Sequence, residues 1–182
     1  MIDAAIALPK PPDEDARLAD LHGFEMLDTP PEEPFDSIAE IAAALLDAPA
    51  CALGFVDEER HWFKARVGTP IRQTSRSIAF CNYTILGTET MVVEDLAADP
   101  RFVDHPLVVN PPHARFYAGA PLVTHEGRCV GTLCVLDVRP RTLTREQVRH
   151  LERLASLAVD ALETRRLVET LAGGRAVPSS VS

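Results

Sequence analysis

Four cysteines, Cys51, Cys81, Cys129 and Cys134, are the residues of this 182-residue chain with the widest chemical range. A thiolate is a nucleophile, a metal ligand and a redox centre. Their spacing supports little of this, because no two stand as C-x-x-C. Cys129 and Cys134 are five positions apart on one apolar run, so a strand would point them to opposite faces. They are read as reduced thiols that serve mostly as small core hydrophobes. The six histidines, His22, His61, His105, His113, His125 and His150, lack metal-ligand spacing and fall mostly in turns, where surface or capping roles are expected. G-x-S-x-G, phosphate-binding loops and H-E-x-x-H are absent. The carboxylate groups Glu32-Glu33 and Asp57-Glu58-Glu59 lie in turn sequences and read as solvated charge, as does Arg165-Arg166 on a helix.

The elements that must position these side chains follow from composition and pattern. The length suits one domain with a core of its own. The chain is 46% hydrophobic and 25% charged, as soluble globular proteins are. No apolar run approaches the roughly 20 residues of a membrane span. The start, MIDAAIALPKPP, lacks a basic region before its apolar stretch, so the cytoplasm is the expected location. A net charge of −9 argues against nucleic acid or an anionic membrane as partner.

Residues 1–12 are expected to be a flexible segment and 173–182 a flexible tail, with one domain over 13–172. DEDARLADL predicts a short helix from Asp13 to about Leu21, with acids in its first turn. Ile38, Ile41, Ala42, Leu45 and Leu46 recur at helical spacing, and Pro49 ends that helix. Residues 50–57 and 60–68 read as a hairpin, with Phe63, Ala65 and Val67 on one side of the second strand. Residues 77–87 read as a helix capped at Gly87, residues 90–96 as a strand, and 97–113 as a proline-rich connection. Residues 116–137 make a second hairpin about the turn Thr124–Gly127. Thr144 and Gln147 fit a capping box that opens a helix of roughly 28 residues, about 42 Å long. The expected fold is α+β: a central antiparallel sheet with terminal helices on one face. A short helix and a long loop cover the other face, where a pocket forms.

Each strand of the second hairpin carries a mid-strand glycine, Gly119 and Gly131, which weakens a strand unless something must come close. A register that sets Gly119 opposite Thr132 and Tyr117 opposite Cys134 puts these four on one face. They would form an open floor for a ligand, or the glycines would merely relieve twist. The candidate ligand-binding residues are Tyr117, Gly119 and Thr132 on the floor, Phe80, Cys81 and Thr84 on the lid, and Asp95 and Arg115 as charged contacts.

A resemblance lies in Leu27–Glu32 (LDTPPE), Val56–Gly68 (VDEERHWFKARVG), Phe80-Cys81, Asp99–Phe102, Arg115–Leu122, Gly131–Asp137 and Arg141–Gln147. In this order they resemble the GAF domains of bacterial signalling proteins, over about residues 15–170. The resemblance implies a regulatory module that binds a small ligand or serves as a dimerising connector to a cyclase, kinase or phosphodiesterase. The N-K-x-F-D-E type motif of cyclic-nucleotide-binding relatives is not traceable. Asn82, not histidine, follows Cys81, unlike the usual bilin-attachment site. No effector sequence follows the long helix, so the expectation is a stand-alone domain or a piece of a larger protein.

The functional expectation is a small-molecule-sensing or dimerising signalling module that is not an enzyme. Its partners are an unidentified small molecule, a downstream signalling effector and a second copy of itself. The homodimer would form through the terminal helices, with Ala161, Leu162, Val168 and Leu171 as its seam, Arg165 interrupting it, and Leu18 and Leu21 joining from the first helix. No cofactor is assigned. The alternative is a thiol-dependent reductase of the free methionine sulfoxide type using Cys81. That family's catalytic A-C-D segment has no counterpart in EDLAADPRF.

Overall fold

The computed structural model describes residues 8–173. The expected tail therefore lies outside the described residues except for its first position. Of the expected flexible start only 8–12 is described, and there the Pro9 carbonyl accepts a 2.9 Å hydrogen bond from Asn82. The elements in order are α1 (Glu14–Gly23), α2 (Glu33–Leu45), β1 (Ala50–Val56), β2 (Arg60–Val67), β3 (Gln73–Ser75), a 3-10 turn over 76–78, α3 (Cys81–Thr84), β4 (Met91–Val93), α4 (Pro106–Val109), β5 (Phe116–Val123), β6 (Cys129–Asp137) and α5 (Arg145–Gly173).

One antiparallel sheet runs β3-β2-β1-β6-β5-β4. Short connections force β1 beside β2 and β5 beside β6, and the two hairpins join through β1 and β6. The inner strands are buried along nearly their whole length, so both faces need cover. On one face Leu53, Phe116, Ala118, Ala120, Leu133 and Val135 pack against α2 and α5. On the other, Tyr117, Cys134 and Val56 meet Phe80, Ile85, Leu96 and Phe102 from the 79–114 region. The capping box forms as the sequence implies: the Gln147 amide N–H donates to Thr144 Oγ1 at 3.1 Å, and the Thr144 amide N–H donates to Gln147 Oε1 at 3.0 Å.

Four local expectations change. In the β5–β6 ladder Gly119 faces Cys134 and Pro121 faces Thr132, so the register slides two residues from the expected one. A slide of two keeps side-chain parity, and the faces come out as anticipated. In β2 the pairing jumps from Leu53–Ala65 to Gly54–Phe63, which leaves Lys64 as a bulge. The bulge breaks alternation, so Ala65 joins the helical side and Phe63 the cavity side. The 77–87 segment is only a 3-10 turn and one turn of α-helix, and Gly87 lies beyond its end rather than capping it. The short edge strand β3, unanticipated in sequence, pairs with β2.

Close strand packing explains Gly131. A Cβ there would sit 2.1 Å from the Gly54 carbonyl oxygen and 2.9 Å from Phe55 Cα on the adjoining strand. Backbone cannot yield as a side-chain tip can, so the glycine permits the β1–β6 contact itself.

Buried ions tie the loops to this sheet. Lys64, thrown inward by the bulge, donates from Nζ to Thr29 Oγ1 (2.8 Å), the Pro30 carbonyl (2.7 Å) and Glu32 Oε1 (2.6 Å). Arg60 makes a two-pronged bond to Asp28 at 2.9 and 2.6 Å. Deeper in, Arg17 and Arg76 are both 1% exposed, and the Glu14 carboxylate bridges them. Arg17 donates its other nitrogen to the Val56 carbonyl at 2.7 Å, and Arg76 donates to Asn82 Oδ1 at 2.7 Å.

Two outcomes are expected. Gly131→Ala should lower stability by about 1–3 kcal/mol, because the new methyl overlaps backbone, read as a lower urea midpoint at unchanged m-value. Burial opposes ionisation of Glu14, but hydrogen bonds and attraction from Arg17 and Arg76 outweigh it and bring its pKa from the ordinary 4.5 to about 2. The folded pKa is the lower one, so the stabilisation is complete above pH 4.5 and drains away as pH falls toward 2. Glu14→Ala should cost about 3–5 kcal/mol at neutral pH by leaving two guanidiniums buried without their carboxylate. Acid unfolding curves of the variant should flatten over that window relative to wild type.

Candidate functional site

A cavity of about 400 Å³ lies between the sheet and the 69–81 and 107–114 segments. Its walls are apolar and small: Ala52, Ala79, Ala114 and Leu136 are among them. Polar character gathers at one end, where His61, Cys81, Tyr117 and Cys134 line it. The backbone makes this possible at Gly54, where a Cβ would lie 2.5 Å from His61 Nε2. The missing side chain leaves room for the imidazole to fold over the sheet.

The polar end is a connected cluster. Thr84 Oγ1 and the Tyr117 hydroxyl share a hydrogen bond of 2.7 Å. The Tyr117 hydroxyl donates to Cys81 Sγ at 3.3 Å. Cys81 and Cys134 sulfurs stand 3.6 Å apart in hydrogen-bond contact. His61 Nε2 and Thr132 Oγ1 are buried beside this chain and have no hydrogen-bond partner of acceptable geometry. Both nonetheless act on Cys81: burial opposes ionisation of its thiol, but the Cys134 contact, the charge of His61 and the polarity of His61 and Thr132 outweigh it and hold the thiol well below its ordinary value. Cys134 moves the other way, raised by its hydrogen bond to Cys81 and by burial. Tyr117 is raised, first by burial and then by the neighbouring sulfurs. The remaining two thiols behave differently. Burial pushes Cys51 up to about 12, and Cys129, also raised by burial, donates to the Gly87 carbonyl at 3.0 Å.

Of the sequence candidates, Phe80, Cys81 and Tyr117 line the cavity. Phe80 is wedged between the rings of His105 (4.3 Å) and Phe102 (5.3 Å), which fixes it in the lid. Thr84 reaches the site only through Tyr117. Gly119 is not open floor: a Cβ there would lie 2.2 Å from the Tyr117 hydroxyl, so the room it leaves is filled by that ring lying along its own strand. Thr132 is fully buried behind the cluster rather than on the cavity wall. Asp95 and Arg115 satisfy each other through two hydrogen bonds of 2.7 Å at the loop edge, and neither lines the cavity. That pairing holds the Asp95 carboxyl below the usual range and occupies the charge that a ligand would need. His61, given no site role in the sequence reading, is a buried cavity residue. Its signal was its place in the alternating HWFKARV run, one position before Trp62.

No group of three or more His, Cys, Asp or Glu side chains among the described residues is arranged to hold a metal ion. No helix among them is long and apolar enough to cross a membrane.

Comparison with known proteins places this geometry. The family described as "GAF domain" matches residues 30–162. The cyclic di-GMP phosphodiesterase PA2567 of Pseudomonas aeruginosa is 41% identical over 159 residues, covering 87% of this chain and 27% of that protein. The chain thus spans about a quarter of the length of that relative. The expectation that the chain is not an enzyme is corrected by this match, because the relative is named as one. Among solved structures, the blue-light-absorbing form of the PixJ GAF domain of Thermosynechococcus elongatus aligns with TM-score 0.63 at 16% identity, over 88% of this chain and 95% of that one. Free methionine-R-sulfoxide reductase of Neisseria meningitidis aligns with TM-score 0.61 at 18% identity, over 89% and 98%. At such identities the structures share the fold alone. The sheet order, the two covered faces and the family match agree, and the chain belongs to the GAF domain family, as a regulatory sensing module of bacterial signalling.

Proposed function

We propose that this chain senses a small molecule in the cavity beneath α3 and transmits its occupancy through α5 to an effector. By likeness to the 41% identical relative, that effector governs cyclic di-GMP breakdown. The observation that carries the reading is the cavity's composition: about 400 Å³ bounded by apolar wall, with the buried, unpartnered His61 Nε2 at its polar end. An unpaired buried donor or acceptor costs free energy that a ligand's complementary group recovers. The occupant is therefore compact and mostly apolar, with one hydrogen-bonding end directed at His61. Native mass spectrometry of freshly purified protein should show a bound species of a few hundred daltons. Ala79→Trp, which fills the cavity from its wall, should remove that species while the far-ultraviolet circular dichroism stays unchanged. Retention of the species by the variant would place it elsewhere.

A second copy of the chain is the further partner. The expected seam is revised by the packing. Leu162 is 1% exposed and belongs to the domain's own core, as does Leu21 of α1. Arg165 is likewise docked, donating to Glu32 Oε1 (3.2 Å) and to the Phe24 carbonyl (3.1 Å). The exposed face carries Leu157, Thr164, Val168 and Leu171, and with Ala161, which is partly packed on the domain's own core, they follow the alternating steps of four and three of a coiled-coil seam. Leu157, Val168 and Leu171 are 54%, 58% and 63% exposed, which a self-complementary parallel pairing of α5 would bury. On β6, Cys134 faces the cavity while Leu133 and Val135 pack into the core with α5, so a shift at the cavity reaches the helix across one strand. Light scattering at about 100 μM should give a dimer, and Val168→Glu should shift it to monomer with the thermal midpoint of the domain preserved. A wild-type monomer at that concentration would remove this reading.

A further inference from the structure

Beyond ligand sensing, the cavity holds a pair of thiols that sequence spacing gave no reason to join. Cys81 stands at the start of α3 on the lid and Cys134 in the middle of β6 on the floor, 53 positions apart in the chain. Their sulfurs are 3.6 Å apart, and a disulfide requires about 2 Å, a difference within reach of side-chain rotation and a small lid movement. Both line the cavity, so a small solute that enters meets them. Two further features suit them to unequal roles. The Tyr117 hydroxyl donates to Cys81, and the uncommitted His61 Nε2 lies in the same buried pocket. Cys51 also lines the cavity but has no sulfur in contact, and Cys129 stands off the cavity and donates to the Gly87 carbonyl; burial raises both thiols.

We propose that Cys81 and Cys134 are a peroxide-oxidisable dithiol, with Cys81 as the attacking sulfur and Cys134 as the resolving one. The Cys81 thiolate attacks the terminal oxygen of a small hydroperoxide. An S–O bond forms, the O–O bond breaks, and the departing alkoxide takes up a proton and leaves as an alcohol, or as water when hydrogen peroxide is the oxidant. The Cys134 sulfur, as its proton leaves, then attacks the Cys81 sulfur. The S–S bond forms, the S–O bond breaks, and hydroxide leaves as water with that proton. Two thiols lose two electrons in total, and one peroxide gains them. The proton that Cys81 gives up on forming its thiolate is the one the departing alkoxide takes up. Because one cysteine is on the lid and the other on the floor, the bond staples α3 to the sheet and closes the polar end of the cavity.

Hydrogen peroxide added to the reduced full chain tests this by intact mass and peptide mapping. The expected product is a loss of 2 Da, reversed by a phosphine reductant, with the peptides containing Cys81 and Cys134 linked. Cys134→Ser should instead give a sulfenic acid on Cys81 that dimedone traps, and Cys81→Ser should leave position 134 unmodified by peroxide. Mapping of the wild-type protein decides the matter even if either variant fails to fold. Four thiols still reduced in the folded protein overturn the proposal. So does a bond involving Cys51 or Cys129, or direct oxidation of Cys81 past the sulfenic stage without a disulfide.

Discussion

A single carboxylate between two buried guanidiniums holds the functional half of this molecule together. Glu14 comes from the first helix, Arg17 from one turn later, and Arg76 from the segment that leads into the cavity lid. The arginines extend the contact to the carbonyls of Val56 and Asp57 at the β1–β2 turn and to Asn82 in α3. Three regions far apart in sequence, 14–17, 56–57 and 76–82, thereby share one buried charge cluster. Neither arginine is tolerable in that position without the carboxylate, since an unpaired ion away from water costs several kcal/mol. The lid over the cavity is thus anchored at its leading end by electrostatics rather than by its own short helix, which has only four residues.

Other ion pairs, most of them partly exposed, repeat the pattern at lower stakes. Lys64 gathers the 29–32 connector, Arg60 grips Asp28, Arg115 pairs with Asp95, and Arg141 donates to the carbonyls of Leu46 and Asp47. The four cations all lie in the stretches that resemble GAF domains. Their types are demanded by geometry: a long cation must reach several carbonyls and carboxylates at once, and few substitutions satisfy them all. The cavity wall makes no such demand. Alanine, leucine and proline there specify a volume and little else.

The two faces of the sheet divide the work. The helical face is a continuous apolar core from α2 and α5, and it sets stability. The opposite face is covered by short helices and loops stitched with hydrogen bonds, and it holds the polar cluster. Segments with few backbone ladder bonds and little apolar burial are the ones that open at low free-energy cost. The cavity is therefore on the side able to respond, and β6 connects it to the side that is rigid.

The sequence by itself determined the fold class, the order of the main helices and hairpins and the capping of the long helix. Each of these is a local pattern or a periodicity: continuous apolar runs in β5 and β6, heptad steps in α5, the Thr144–Gln147 box. It also determined that Tyr117 and Cys134 share a face, since strand parity survives a register slide of two. The tertiary structure decided the rest, because the rest depends on distances between segments. A bulge at Lys64 turned Phe63 and Ala65 to opposite faces, and no local signal marks a bulge that a distant cluster of acceptors stabilises. Gly119 made room for the Tyr117 ring and Gly131 for the backbone of β1, two uses that look alike in sequence. Arg165 and Leu162 proved to be docked on their own domain, leaving the neighbouring Leu157–Leu171 stripe free. The meeting of Cys81 with Cys134 across 53 positions has no sequence signature, for it arises only when the lid, pulled in by Arg76, settles on the strand beneath it.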